Sequence, residues 1–376
     1  MAVSSVRATL TPQREHLNVL LRYEFQAGMA EGTSEIMLDI PPSPIKPTGG
    51  EITVGETSFP LGFPIGPAGR VLSVPLKSSM PRLSGESVLD GGEVSWSFFR
   101  DRPGVLHFPA MIPGVPRPQD GDTQPTLEID LKTSGLEVTG HLLGPEGRII
   151  QAVIGESSAG QHLPGDTVGV WLAPELSQAL SSAEAEAVCV EVSGCAAFLA
   201  EWFGSSMDGT VAVVPRDESR TGRSGFPVGD RIGTVIALTE QQLGLLLRVG
   251  LRAELARRLA ALWWGGLVKV SGSDGPDIET AIGFAAGVAW AGRFDRREAD
   301  SVIDGLRSMS MTRPIRDRWV RRVSGQSLRT VGDLAVRVCS ALREPSVRGI
   351  LQEVHANGVG RFVDGSVVQA LLVDAT

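Results

Sequence analysis

The chain is poor in metal ligands and in amines. It has five histidines in 376 residues, none of them between His162 and His355, and no His-x-x-x-His pair. Its three cysteines, Cys189, Cys195 and Cys339, show no metal-ligand spacing. Zinc hydrolase sites need histidines and a carboxylate around an open coordination position, so no catalytic metal is expected. The odd, small cysteine count points to reduced thiols in a cytoplasmic setting. No Gly-x-Ser-x-Gly elbow, Walker loop or dinucleotide fingerprint is present, which sets aside those hydrolase, nucleotidase and Rossmann chemistries and leaves no cofactor expected. Long apolar runs are missing too: AIGFAAGVAWAG is too short to span a bilayer. The first residues, MAVSSVRATLTPQREH, lack the apolar run of a signal peptide. A formal charge of −8 gives no general attraction to nucleic acid or to an anionic membrane. Tyr23 is the sole tyrosine, and lysine is confined to Lys46, Lys77, Lys132 and Lys269. Such a preference for arginine suits a GC-rich bacterial genome.

What is present divides near residue 178. Before it, alternating or β-branched runs (Ser34 to Ile40, Glu51 to Val54, Val71 to Leu76, Glu93 to Phe99, Thr126 to Leu131, Ile149 to Ile154, Thr167 to Leu172) are separated by Gly and Pro clusters. That spacing predicts an antiparallel β-sandwich over residues 1–178. After it, over 179–376, the pattern turns helical. Ser181 with Glu184 forms a capping box ahead of Val188, Val192, Cys195, Leu199 and Trp202, spaced by three and four. Thr239 with Gln242 opens a second helix that Gly265 and Gly266 end, Asp295 with Glu298 opens a third, and Pro345 starts one ending near Gly358. The fold class is therefore α+β in about two domains.

The segment Arg257 to Val268, RRLAALWWGGLV, resembles the helix HELAHQWFGNLV of the gluzincin aminopeptidases, the aminopeptidase N-like zinc metallopeptidases. In that comparison the two metal histidines fall on Arg257 and Ala261 and the general-base glutamate on Arg258. The packing half of the motif remains: Leu259, Ala260, Trp263, an aromatic at Trp264, Gly265, Leu267 and Val268. Upstream, FLAEWFG (Phe198 to Gly204) and TVAVVPRDES (Thr210 to Ser219) resemble the helix and strand that precede the site, and PVGDRIG (Pro227 to Gly233) resembles the loop that grips the substrate amine. Asp230 then replaces its glutamate and Arg231 its asparagine. AIGFA (Ala281 to Ala285) resembles the segment bearing the third zinc ligand and puts Ile282 in that place. A gapless count puts Thr280 there instead, beside Glu279. Arg329, in RTVGDLAV, takes the slot of the family's tyrosine. HFPAMIPGVPRP (His107 to Pro118) resembles an acidic turn of the family's first domain, without its acidic pair.

The resemblance implies an N-terminal sandwich, then a thermolysin-like, mainly helical domain whose zinc site has degenerated. The family's C-terminal helical domain has no counterpart in this sequence. Glu254, Arg257 and Arg258 share one helix face, and the family turns that face into its site. The two arginines either offer guanidinium forks to an oxyanion or pair with Glu254 and Asp230 as a structural salt bridge. Asp230 and Glu279 are candidate general bases, with Glu279 alternatively a solvated loop carboxylate. Catalytic candidates are thus Asp230, Arg257, Arg258, Glu279 and Arg329. Glu254, Arg231, Trp264 and His107 are candidates for substrate binding; His107 and His162, as possible acids or bases, both rank below Asp230, and Trp263 is read as core. The run TRPIRDRWVRR, with Arg313 to Arg322, presents either a basic face for an acidic carrier protein or a solvated helix with one core anchor. A homodimer is the other partner considered.

Two functions follow. One is a metal-independent enzyme that uses the former peptidase cleft for acid/base work (dehydration, conjugate addition or cyclisation, isomerisation) on a small apolar secondary metabolite such as a polyketide. The family includes an epoxide hydrolase, so its fold is not confined to peptides. The other is a catalytically inactive pseudopeptidase that acts as a binding or scaffold protein, like the zinc-less relative among eukaryotic transcription factor subunits. Fold analogy alone licenses neither.

Overall fold

The computed structural model describes backbone only for the strands before residue 121, and backbone with most side chains over 123–124, 126–131, 136–156, 160–215, 234–272, 275–311 and 328–373. The first half is β-rich, as its period-two runs require. Strands β1 (Val3–Pro12), β2 (His16–Phe25), β3 (Glu35–Ile40), β4 (Glu51–Val54), β5 (Thr57–Pro60), β6 (Arg70–Pro75), β7 (Ser87–Ser95), β8 (Leu106–Phe108), β9 (Val115–Pro116) and β10 (Thr126–Leu131) come first. They form a four-stranded sheet β10-β1-β2-β7, a three-stranded sheet β6-β3-β9 and a β4-β5 hairpin, with β8 set apart. Most pairs are antiparallel as expected, but β1 and β10 run parallel. The strand expected over Glu93 to Phe99 begins earlier, at Ser87.

A seven-stranded sheet follows, built from β11 (Leu136–Leu143), β12 (Ile149–Glu156), β13 (Gln161–Leu163), β14 (Gly169–Leu172), β15 (Gly209–Pro215) and β16 (Val235–Leu238) together with β8. Its order is β13-β14-β15-β11-β12-β8, with β16 also on β15. Strands from both sides of residue 178 thus share one sheet. The β14–β15 and β15–β16 pairs are parallel, and parallel strands are covered on both faces. Val211, Val213, Ile236 and Leu238 face the helical core, while Ala212, Val214, Val235 and Ala237 face a second cluster around Trp171.

The helices are α1 (Pro174–Ala179), α2 (Ser182–Phe203), α3 (Glu240–Val249), α4 (Arg252–Leu259), α5 (Gly275–Gly292), α6 (Arg296–Met311), α7 (Leu328–Ala341), α8 (Pro345–Gly358) and α9 (Gly365–Val373), with a short parallel pair β17 (Val268–Ser271) and β18 (Arg361–Asp364). The capping boxes at Ser181/Glu184 and Thr239/Gln242 both form, and the five apolar positions of α2 are all buried. Two expectations need correction. The helix expected from Thr239 to Gly265 is two helices, because Gly250 adopts φ 76°, a left-handed value that ends a helix at little cost only for glycine. At the α6 start, Asp295 Oδ1 accepts from Arg297 N at 2.8 Å, but Glu298 does not close a box. Its Oε1 instead accepts from Ala253 N in the first turn of α4 at 3.3 Å.

Helices α4 and α5 approach closely because α5 is bare where they meet: a Cβ on Gly287 would lie 2.5 Å from Ala253 O. Gly287→Ala is therefore expected to lower stability by about 1–3 kcal/mol through overpacking. Gly305→Ala, in the exposed interior of α6 with nothing within 4 Å, should raise it by about 0.4–1 kcal/mol. Urea unfolding of the two variants checks the contrast, and equal effects would show that the helix contact is looser than described.

Candidate functional site

Helix α4 carries the face of interest, and its charged side chains close on one another. Glu254 binds Arg257 in a fork, with Oε2 2.7 Å from Nε and Oε1 2.8 Å from Nη2. The same Oε1 accepts from Arg258 Nε at 2.8 Å. Arg258 is only 2% exposed and also donates through Nη1 to Ala237 O of β16, tying helix to sheet. Arg257 lies over the Phe284 ring of α5, 5.3 Å from its centroid. Burial by itself would raise the Glu254 carboxyl, but hydrogen bonds and charge from Arg257 and Arg258 outweigh it and hold the pKa below the usual carboxylate value. Solvated pairs spaced three and four on a helix contribute only tenths of a kcal/mol. Here the charges are withdrawn from water, so losing one partner is far more costly.

Further along, Ala261 is half-buried in a 3-10 turn, and Ile282 on α5 is fully buried. Glu279 is part of α5 and not of a loop. Its Oε1 accepts from Val270 N at 2.8 Å, and a Cβ on Gly265 would stand 3.1 Å from its Oε2. Beside it Lys269 projects from β17, its Nζ 5.8 Å from the Phe362 centroid. Desolvation pulls the Lys269 amine below the ordinary lysine pKa, with Glu279 pushing partly back. Sequence reasoning passed over Lys269, although it is the one lysine after residue 178.

Trp263 and Trp264 are both buried. Trp263 Nε1 donates to Ser205 O at 2.9 Å, which suits its reading as core. Trp264 packs against His355, with centroids 5.4 Å apart. His355 also escaped the sequence reading. It is fully buried, its Nε2 is 3.3 Å from Trp263 O, and its Nδ1 is 3.2 Å from Ser205 Oγ. If Nε2–H donates to the carbonyl, Nδ1 accepts from the Ser205 hydroxyl. Burial lowers its pKa to about 4, the backbone hydrogen bond to Trp263 opposing weakly. A serine–histidine contact at a helix C-terminus with so weak a base is packing and not nucleophile activation.

The other candidates are dispersed. His162 lies on β13, half-exposed, 3.6 Å from Glu137 Oε1. His107 stands on β8 opposite Val153, and Arg329 lies in the first turn of α7; the side chains of both fall outside the described residues. Asp230, Arg231 and the run Arg313 to Arg322 lie wholly outside them. The structure therefore brings together Glu254, Arg257 and Arg258, and it sets the Glu279 carboxylate against the backbone of β17 beside Lys269. Among the described residues, no group of three or more His, Cys, Asp or Glu could hold a metal ion. Nor is any helix among them long and apolar enough to cross a membrane.

No protein-family model matches the chain, and no curated protein matches it in sequence. Solved structures do. The M1 zinc metallopeptidase of Deinococcus radiodurans superposes with a TM-score of 0.56 at 14% identity, over 100% of this chain and 90% of that one. Native leukotriene A4 hydrolase from Saccharomyces cerevisiae superposes with a TM-score of 0.62 at 11% identity, over 99% of this chain and 64% of that one. At such identities the likeness establishes the fold alone. The mixed α and β architecture is that of the M1 metallopeptidases.

Proposed function

We propose that this chain keeps the fold of a zinc peptidase without its zinc site, and that it works by binding and not by hydrolysing peptides. The observation that carries the reading is the carboxylate shared between Arg257 and Arg258 on the face that the resemblance assigns to the metal. Guanidinium groups are not zinc ligands, Ala261 has no donor, Ile282 is apolar, and Thr280 offers only a hydroxyl. This donor set does not fit zinc. An internal ion pair there keeps charge balance and ties α4 to β16. The occupants it could serve are a small, largely apolar molecule, a second copy of the chain, or an acidic carrier protein at Arg313 to Arg322, in a bacterial cytoplasm.

A second reading starts from Glu279 of α5, whose carboxylate is held by Val270 N in β17, the residue after Lys269. It is a metal-independent lyase or cyclase acting on a secondary metabolite such as a polyketide, with Asp230 and Arg329 as further contributors. Comparing metabolites of the source organism with and without the gene separates the two. A compound that accumulates without the gene, and that purified protein converts without metal to a product of equal mass or lighter by water, establishes the enzyme and overturns a purely binding role. An unchanged profile is the result expected for binding.

A further inference from the structure

Helix α3 reads EQQLGLLLRV, with four leucines and a valine, yet only Leu246 of it is fully buried. Leu243 and Leu247 lean on the core from partly buried positions. Leu245 is 38% exposed and Val249 is 58% exposed, and their spacing of four puts them on one side of the helix. Val190 of α2, exposed as well, extends that surface. A Cβ on Gly250, the neighbour of Val249, would lie 3.5 Å from Oε2 of Glu191, the neighbour of Val190. Apolar side chains gathered on a surface in this way mark a contact with another protein. Beside Leu245 and Val249 runs a second row at the same spacing, Glu240, Gly244 and Arg248, in which both charged residues are exposed. Arg248 is laid across the bare midpoint, its Nε donating to Gly244 O at 2.9 Å. With acid at one end, base at the other and no side chain between, the row is complementary to its own reverse.

We propose that a second copy of this chain docks on this face, with the two α3 helices antiparallel about a two-fold axis at Gly244 and Leu245. An axis perpendicular to both helices sets each row opposite its own reverse. Glu240 then meets the partner's Arg248 at both ends of the contact, Leu245 meets its own copy, and Gln241 meets the partner's Val249. Glycine at position 244 lets the helices close in, and Arg248 exchanges its own carbonyl for the partner's carboxylate. Apolar contact supplies the attraction. The exposed ion pairs add little energy and fix the direction and register. An unrelated acidic or basic partner would leave one end of the row facing like charge, which favours the second copy. With one helix face from each subunit the contact is small, so the dimer is weak and reversible, with a dissociation constant on the order of 10 µM. It neither requires nor excludes a ligand at the α4 face.

Sedimentation velocity of the full-length protein over about 1–100 µM, a range that brackets this constant, tests the association. The sedimentation coefficient is expected to rise with concentration from that of a monomer toward that of a dimer. Leu245→Glu sets two carboxylates at the axis and should weaken the dimer at least about tenfold. Leu245→Cys should cross-link to its own copy under mild oxidation, because a two-fold axis brings that position to itself. Ile350→Cys on α8, at a site 49% exposed, should not. The native thiols Cys189, Cys195 and Cys339 are buried and do not compete. A wild-type protein that stays monomeric throughout overturns the proposal, as do a dimer that Leu245→Glu leaves intact and equal cross-linking at positions 245 and 350. The wild-type measurement decides against association even where a variant fails to fold, and none of these results bears on peptide hydrolysis or on the α4 ion pair.

Discussion

Replacing Glu254 with Gln is expected to lower stability by about 3 kcal/mol, because it removes a carboxylate that faces both Arg257 and the buried Arg258. Urea unfolding followed by circular dichroism reads the change as a shift in midpoint with little change in slope. Partners that share one carboxylate are not additive. Arg258→Met alone should also destabilise, since it leaves Glu254 with less compensation for its burial. The double variant Glu254→Gln, Arg258→Met should lose at least about 1 kcal/mol less than the two singles summed. Additive losses would mean that the ion pair is not a coupled unit and that the α4 face owes its order to packing. The sign with pH follows from the lowered Glu254 pKa. The stabilisation is present above the ordinary carboxylate value and is lost as pH falls through the folded one.

Acid should act earlier, through His355. Its folded pKa of about 4 lies below the 6.5 of an exposed histidine, so the folded state binds fewer protons than the unfolded one across that interval. Stability is therefore fully present above pH 6.5 and falls progressively toward pH 4, by about 3 kcal/mol in total. The ring lies between Phe203 and Trp264, with Ser205 Oγ and Trp263 O as its polar contacts. His355→Gln should be less stable than wild type at neutral pH but should flatten the slope between pH 6.5 and 4. A slope unchanged by the substitution would place the titrating group elsewhere.

The fold was legible where one physical signal dominated. Thr126 to Leu131 and Glu51 to Val54 emerge as strands with the expected bounds, and the Ser181 box with Val188 to Trp202 gives α2. β1 and β2 have no counterpart among the expected strands, although Leu17, Val19, Leu21, Tyr23 and Phe25 alternate with Asn18, Arg22 and Glu24, interrupted by Leu20. The leader-peptide reading covers residues 1–16 alone and stops where β2 begins. The break at Gly250 was hidden because Leu243, Leu247, Leu251 and Leu255 continue a helical spacing across it, and only the backbone angle reveals two helices. The site was legible as a set of positions and not as a set of roles. Helical spacing put Glu254, Arg257 and Arg258 on one face, but whether guanidinium groups face a ligand or a carboxylate depends on distances that spacing does not contain. Lys269 and His355 become noticeable only when β17 meets α5 and α8 meets α2.

The most direct measurement is hydrolysis of an alanyl anilide by the purified full-length protein across a zinc titration, with chelator controls and thermal unfolding recorded on the same samples. Expected is no release of aniline above the background given by zinc alone, and no zinc-dependent rise in melting temperature, since Arg257, Arg258 and Ala261 offer the metal no ligand. Zinc-stimulated, chelator-sensitive cleavage would contradict the reading outright and return the chain to the active peptidases.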